Sequence, residues 1–354
     1  MKAAIVGLPL SGKTTLFSAV TGHLSDPAGL GQVQRAVAKV PDTRLDALAR
    51  IFSPKKYTQA TVEFIDVPGL DLADARGRDE LRRHLPDIRQ SELLVTVLRA
   101  FENPDAPAYR NRVDPKADLR ELHDEFLLAD LETLTGRIDR MEKSIRKPTG
   151  THDQEKHEVD VLKACVEALE ASKPVSSVVH KAEDRAVVGG YGLLTLKPML
   201  AVYNVPAQRA AEADPPPPEY TVAAVGVCAD VERDIAQLEP ADRPAFLADL
   251  GVKEPARDRL IRRCYEALGL ISFLTASEKE VRAWTIRRGE TAVEAAGEIH
   301  SDIARGFIRA ETVAFDDLMA GGDMKAAKAA GKVRQEGKTY VVQDGDIVHF
   351  RFNV

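Results

Sequence analysis

Gly7-Leu8-Pro9-Leu10-Ser11-Gly12-Lys13-Thr14 decides how this chain is read. The octet fills every fixed position of G-x-x-x-x-G-K-[ST]. An apolar run, Ala3-Ala4-Ile5-Val6, precedes it and suits a buried strand, and Leu16, Phe17 and Val20 follow it on one helical face. A strand, a glycine loop and a helix in that order make a cradle for a phosphate chain. Gly7 and Gly12 let the backbone bend so that amide N–H groups point at closely spaced negative charges. The helix starting near Gly12 adds the positive end of its dipole. Lys13 reaches the β- and γ-phosphates, and the Thr14 hydroxyl is a Mg²⁺ ligand. The expected nucleotide contacts are Gly7, Leu8, Pro9, Leu10, Ser11, Gly12, Lys13, Thr14 and Thr15. The plainer alternative is an ordinary glycine turn between strand and helix.

A second motif completes such a site. Thr61-Val62-Glu63-Phe64-Ile65-Asp66 reads as a strand ending in an acid, and Val67-Pro68-Gly69 extends it to Asp-x-x-Gly. Asp66 is expected to hold Mg²⁺ through water, and the Gly69 amide to sense a γ-phosphate. Alone, Asp-x-x-Gly is a weak signal. Some fifty residues after a phosphate loop and behind an apolar run, it marks a switch-type nucleoside triphosphatase. Lys13, Asp66 and Gly69 are the catalytic candidates; Thr14 and Asp66 are the metal candidates.

The chain has 354 residues, 44% hydrophobic and 29% charged, enough for two or three ordinary domains. Its net charge of -6 argues against a wholesale nucleic-acid coat, though not against a local basic patch. Cys165, Cys228 and Cys264 match no zinc spacing, and their odd number fits a reducing compartment. The opening Met-Lys-Ala-Ala-Ile-Val-Gly reads as a strand rather than a signal peptide, and no apolar run approaches the ~18 residues of a membrane helix. A cytoplasmic protein without membrane attachment is expected.

The pattern along the chain predicts α/β architecture. Lys2–Val6, Thr61–Asp66 and Leu93–Leu98 read as strands between helical stretches, which predicts a parallel sheet with helices on both faces. Leu127, Leu131, Leu134, Ile138, Met141 and Ile145 then alternate at spacings of three and four, a heptad seam. Lys147-Pro148-Thr149-Gly150 interrupts it, and Val159, Leu162, Val166 and Leu169 resume it. This predicts an inserted antiparallel helical hairpin over 123–183; two surface helices packed on the main core are the alternative. Pro198–Asn204 and Tyr220–Val227 read as further strands of the first sheet, closed by helices at Asp230–Leu238 and Ala256–Leu268. The nucleotide domain is therefore expected at 1–122 and 184–277. Beyond Ser277, Val281–Ile286, Glu311–Phe315, Lys338–Val342 and Asp346–Phe352 read as strands and Thr291–Arg305 as a helix. One helix on a small mixed sheet predicts a β-grasp domain at 278–354.

Four stretches together resemble the YchF, or Obg-like ATPase, family of translation-factor-class P-loop NTPases. They are Val6-Gly7-Leu8-Pro9 with Gly12-Lys13, the run Ala60–Asp66, Phe246-Leu247-Ala248-Asp249-Leu250-Gly251, and the C-terminal runs Lys279–Thr285, Gly306–Glu311 and Val341–Val354. The resemblance spans nearly the whole chain. It implies a G domain, an inserted coiled-coil hairpin and a C-terminal TGS β-grasp domain, with Mg²⁺ and ATP or GTP as ligands. It also implies a ribosome or RNA as partner, without sequence-specific DNA binding. The chain departs from the family in places. Leu10 stands where the family has Asn. The family's base-reading Asn-x-x-Glu becomes Asn204-Val205-Pro206-Ala207, which keeps Asn204 and Val205 as nucleotide candidates but removes the acid. Asp26–Gly31 offers no counterpart to the first-switch Thr, and Asp71–Arg78 replaces a glycine-rich second switch.

Leu70 follows Gly69, where Ras-like enzymes place a water-orienting Gln. The resemblance implies the same hydrophobic replacement. Hydrolysis is therefore expected to be slow or to need a group from elsewhere. Arg76, Arg78, Arg82 and Arg83 lie downstream and could supply a cation, or form a solvated helix face. Arg137, Arg140, Lys143, Arg146 and Lys147 near the hairpin tip read equally as a phosphate-contacting patch or as a solvated helix. Two functions stay open: a slow translation-linked ATPase or GTPase switch, and a nucleotide-binding adaptor with negligible hydrolysis. A small-molecule kinase explains neither Asp66-x-x-Gly69 nor the C-terminal region.

Overall fold

The computed structural model describes residues 1–23, 31–145, 152–239 and 241–353. The expected switch residues Asp26–Leu30 and the hairpin residues Arg146–Gly150 lie outside these. The first elements are β1 (Lys2–Val6), α1 (Lys13–Thr21), β2 (Gln34–Lys39), α2 (Thr43–Phe52), β3 (Lys56–Thr58), β4 (Thr61–Asp66), α3 (Ala75–Arg89) and β5 (Leu93–Arg99). Then come α4 (Pro115–Ile145), α5 (His152–Glu170), α6 (Ala182–Val188), β6 (Met199–Asn204), β7 (Ala223–Val227), α7 (Ala229–Gln237), α8 (Arg243–Asp249) and α9 (Ala256–Ala267). The chain ends with β8 (Leu270–Ala276), β9 (Glu280–Arg287), α10 (Ala292–Ile299), α11 (Ser301–Arg305), β10 (Phe307–Val313), α12 (Phe315–Gly321), α13 (Met324–Ala329), β11 (Arg334–Glu336) and β12 (Ile347–Phe352). Two compact units result: Met1–Ala36 with Glu63–Leu260, and Val37–Val62 with Ile261–Val354.

The first sheet has the order β2-β4-β1-β5-β6-β7. β1 pairs in parallel with β4 and β5, β5 with β6, and β6 with β7. The register sets Ile5 beside Asp66 and Val6 beside Thr96. Parallel pairing thus brings the carboxyl ends of β1 and β4 together, the end at which open α/β sheets bind ligands. Every residue of β5 is buried, as a strand covered on both faces requires. Val6, Ile65 and Leu98 pack against Leu81, Leu85 and Ile88 of α3 and against Leu119, Leu122 and Phe126 of α4.

α4 leaves that core and continues into the expected heptad seam. Leu127, Leu134, Ile138 and Met141 pack with Val159, Leu162 and Leu169 of α5, and Val175, Val179, Val188 and Leu193 join the same cluster. The fully buried Asp130 ties α4 to the returning chain. Its carboxylate accepts from the Leu194 and Thr195 amides at 2.9 and 2.8 Å and from the Thr195 hydroxyl at 2.8 Å. Burial pushes this carboxyl above its ordinary value, and the three hydrogen bonds oppose that shift. In the basic cluster, Arg137 is held by Glu158 at 3.0 Å and by the Tyr191 hydroxyl at 2.9 Å, which favours a structural role for it.

The second sheet has the order β11-β10-β12-β8-β9-β3. β8 and β9 form an antiparallel pair, β12 runs parallel to β8, and β10 pairs antiparallel with β12. Ala292, Ala295 and Ala296 of α10 pack on Ile271, Phe273, Ile286 and Phe350, giving the β-grasp arrangement of one helix on a mixed sheet. The sheet begins earlier than expected. β8 precedes Ser277, where no strand was expected. Three further expectations need correction. The strand expected at Glu311–Phe315 ends at Val313, and α12 starts at Phe315. Lys338–Val342 forms only an isolated bridge between Val341 and Thr291. The helix expected over Thr291–Arg305 is two helices, separated at His300 by an extended backbone.

Candidate nucleotide site

The phosphate loop joins β1 to α1. Gly12 has φ 92°, and a Cβ there would sit 2.1 Å from the Asn204 Nδ2, so both conformation and space require glycine. Leu10, at φ 59° and 55% exposed, takes the same left-handed conformation without that freedom. Two buried side chains hold the loop from beneath. The Asn204 Nδ2 donates to the Ser11 carbonyl at 3.0 Å, while its Oδ1 accepts from the Ala229 amide at 3.1 Å. The Arg99 guanidinium donates to the Leu10 carbonyl at 3.3 Å and to the Ala106 carbonyl at 2.6 Å.

Pro9, Leu10, Gly12, Lys13, Thr14, Thr15 and Gly69 all line one cavity of about 680 Å³. Pockets of this size take drug-sized ligands. The other expected residues support it from behind. Leu8 and Ser11 are buried, the Ser11 hydroxyl has no hydrogen-bond partner among the described residues, and Gly7 packs against the Val97 carbonyl. Asn204 is a strap for the loop, and the Val205 amide is spent on the Val227 carbonyl at 2.8 Å. A larger cavity of about 810 Å³, lined by residues of α4 and Pro218–Tyr220, contains no residue of either motif.

The polar centre of the site is compact. Lys13 Nζ donates to the Leu8 carbonyl at 2.7 Å. The Thr14 hydroxyl donates to Asp66 Oδ2 at 2.9 Å. Burial pulls the Lys13 ammonium down to about 8, with the Asp66 charge acting in the opposite direction. Burial likewise raises the Asp66 carboxyl, against the Thr14 hydrogen bond and the Lys13 charge. Asp66 Oδ1 is buried and has no hydrogen-bond partner among the described residues. An orphaned carboxylate oxygen beside a threonine hydroxyl is the donor set a hydrated, oxygen-seeking Mg²⁺ takes, so the residues present fit that ion. No group of three or more His, Cys, Asp or Glu residues among those described forms a separate metal site.

Beyond Gly69 the chain turns inward. The Leu70 amide donates to the Gly7 carbonyl at 3.1 Å, and the Leu70 side chain is 2% exposed, within the core that includes Leu72 and Leu81. It is absent from the cavity lining. The cavity is instead completed by Glu80, Arg83 and His84 of α3. Of these, Arg83 stood among the four expected arginines; Glu80 and His84 did not. Their signal was helical spacing on the face beside Leu81, Leu85 and Ile88. Arg78 and Arg82 are engaged with Glu125 at 2.8 Å and with Asp79 at 3.1 Å.

Two family descriptions match this chain: 50S ribosome-binding GTPase over residues 2–131, and YchF-GTPase_C, described as a protein of unknown function, over residues 270–353. The chain is 41% identical over 371 residues to the ribosome-binding ATPase YchF of Bacillus subtilis (strain 168), with 100% of each chain aligned. The chain belongs to the YchF family. The ribosome-binding ATPase YchF of Escherichia coli O157:H7 is 39% identical over 364 residues, covering 100% of this chain and 99% of that one. The structure of the Schizosaccharomyces pombe YchF GTPase superposes with a TM-score of 0.82 at 25% identity, covering 99% of this chain and 97% of that one. Ala207 is exposed and carries no group to accept from a base.

Proposed function

We propose that this chain is a ribosome-associated nucleoside triphosphatase that binds Mg²⁺ with ATP or GTP and hydrolyses it slowly as a regulatory switch. One observation carries the reading. Lys13, Thr14, Asp66 and Gly69 meet at the ends of adjacent parallel strands, in a chain similar over its full length to proteins named ribosome-binding ATPases. Thr14 and Asp66 would hold Mg²⁺, which when bound neutralises charge developing on the β- and γ-phosphates. Lys13 supplies the side-chain cation, and the loop amides orient the phosphates.

Three working parts serve this function: a nucleotide part built on the first sheet, the helical insertion at 123–183, and a TGS β-grasp part that begins with β8 at Leu270 and not at 278. The last two offer the surfaces for a ribosome or RNA. A ribosome as partner supports a cytoplasmic protein. No described helix is long and apolar enough to cross a membrane.

Turnover by the isolated protein is expected near ~10⁻⁴ s⁻¹, the range of unassisted small GTPases, because Leu70 is buried and cannot orient water. Leu70→Ala should then alter the rate less than Asp66→Asn. Single-turnover hydrolysis of labelled ATP and GTP, with and without purified ribosomes that are also tested for co-sedimentation, checks the whole reading. Nucleotide binding with ribosome-stimulated turnover is the expected result; failure to bind either nucleotide refutes it. The burial of Leu70 also favours a second reading, an adaptor with negligible hydrolysis. Co-sedimentation without stimulated turnover would select it.

A further inference from the structure

The residue that follows Gly69 is turned into the core, so any protein group that acts at the γ-phosphate end must come from another wall of the cavity. Among the described residues, that wall is α3. Glu80, Arg83 and His84 line the same cavity as Lys13, Thr14 and Gly69. They stand at i, i+3 and i+4, one face of a helix. The helix cannot readily turn this face away. The adjoining face, Leu81, Leu85 and Ile88, is locked in the core. Its start is equally fixed. Asp74 accepts from the Gly77 amide at 2.9 Å, and a Cβ on Gly77 would lie 1.7 Å from the Asp71 carbonyl. Only five residues separate Gly69 from the first residue of α3, so the Asp-x-x-Gly turn and α3 are neighbours along the chain.

Arg78 and Arg82 are ion-paired. Arg76 and Arg83 are the arginines of this stretch without an ion pair among the described residues, and of the two Arg83 lines the cavity. A guanidinium suits the equatorial oxygens of a phosphoryl group in transfer, and an imidazole nitrogen can accept a hydrogen bond from water.

We propose that Arg83 and His84 of α3 supply the catalytic groups missing after Gly69: Arg83 the cation on the transferring γ-phosphoryl group, His84 the acceptor that orients the attacking water. The assignment rests on the nucleotide reading of the site. The water oxygen bonds to the γ-phosphorus as the β–γ bridging P–O bond breaks. The bond's electron pair leaves on the nucleoside diphosphate, and the water's proton passes to the phosphate product. His84 holds the water and keeps no proton.

The test uses the full-length protein with Arg83→Ala, Arg83→Lys, His84→Ala and His84→Gln. Three quantities are read: single-turnover hydrolysis, affinity for the nucleoside diphosphate, and affinity for the diphosphate with aluminium fluoride, a mimic of the transferring phosphoryl group. Both alanine variants should slow hydrolysis at least about tenfold. Arg83→Ala should weaken aluminium fluoride complex formation by a similar factor, while diphosphate affinity stays within about twofold. His84→Gln, which keeps an acceptor, and Arg83→Lys, which keeps a charge, should each recover part of the rate. A merely structural role would lower all three quantities together and would not separate glutamine from alanine. Alanine variants that turn over within about twofold of the parent overturn this assignment alone. A parent protein that binds no nucleotide overturns the assignment together with the reading of the site.

Discussion

Asn204→Ala is the sharpest test of how the phosphate loop is held. Asn204 is 6% exposed, and its amide spans two backbone groups: it donates to the Ser11 carbonyl at 3.0 Å and accepts from the Ala229 amide at 3.1 Å. Alanine removes both bonds and leaves a buried carbonyl and a buried N–H without partners. Each orphaned group costs about 1–3 kcal/mol, and a water entering the vacated space recovers some of it, so a total loss of about 2–4 kcal/mol is expected. Part appears as lower stability in urea unfolding. The part spent on loop order appears as weaker nucleotide binding, and 1–2 kcal/mol of it corresponds to roughly 5–30-fold.

The signature lies in how that loss is shared. A strap beneath the loop serves the phosphates, so ATP and GTP should weaken by the same factor. A residue that reads the base would shift their ratio. Asn204→Asp sharpens the contrast. It keeps an acceptor for the Ala229 amide but sets an anionic oxygen against the Ser11 carbonyl and under the phosphates, so it should bind both nucleotides more weakly than the alanine variant. Calorimetric titration with each nucleotide, beside urea unfolding, reads all of this. A stability loss below about 0.5 kcal/mol, or a change of more than about tenfold in the ATP-to-GTP ratio, refutes the reasoning.

Lys13→Ala should cost about 1.5–3 kcal/mol of Mg²⁺-nucleotide binding, the value of a charge-assisted bond; unchanged affinity for both nucleotides in the same titration would remove the site. Nucleotide affinity should also fall as pH rises. Burial lowers the Lys13 ammonium to about 8 in the ligand-free protein, so its charge is present at pH 7 and lost above that value. A decrease of roughly tenfold between pH 7 and 9 is expected, with a flatter profile for Lys13→Arg, whose guanidinium keeps its charge. ATP and GTP should bind within about tenfold of each other, roughly 1.4 kcal/mol, because exposed Ala207 offers no ionised acceptor. Competition titration checks this, and a preference above about a hundredfold would mean that another group reads the base.

The phosphate loop and the Asp66 strand were legible because their chemistry is local. Eight consecutive residues fix the turn, the cation and the hydroxyl, and strand pairing needs only apolar runs of the right length. The heptad seam was legible for the same reason. What holds the loop was not. Asn204 reaches Ser11 across 193 residues, and no spacing in the chain encodes that contact. The second sheet shows the opposite failure, local pattern overruled by tertiary context. Lys338–Val342 alternates like a strand, yet Tyr340 spends its carbonyl on the Ala292 amide and its hydroxyl on Asp346. Phe315 was read as a strand end although Asp316 and Asp317 follow it, and acids in a first turn favour a helix start.

Leu70 joins the two levels. In the sequence it is only the absence of a glutamine. In the structure it is a core residue whose full burial stabilises the fold by about 1.5–3 kcal/mol, so the position that other enzymes use for water serves packing here. The loop beneath the phosphates, held by Asn204 and Arg99, favours bound nucleotide. Interactions made equally with substrate and transition state raise affinity without raising the rate. Any acceleration must then come from groups outside the loop, whose effect changes as the γ-phosphoryl group leaves. Tight binding and slow turnover are therefore compatible in this site. Under the proposal for α3, they follow from one allocation of residues: the loop and its straps act on the ground state, and Arg83 and His84 act on the bond that breaks.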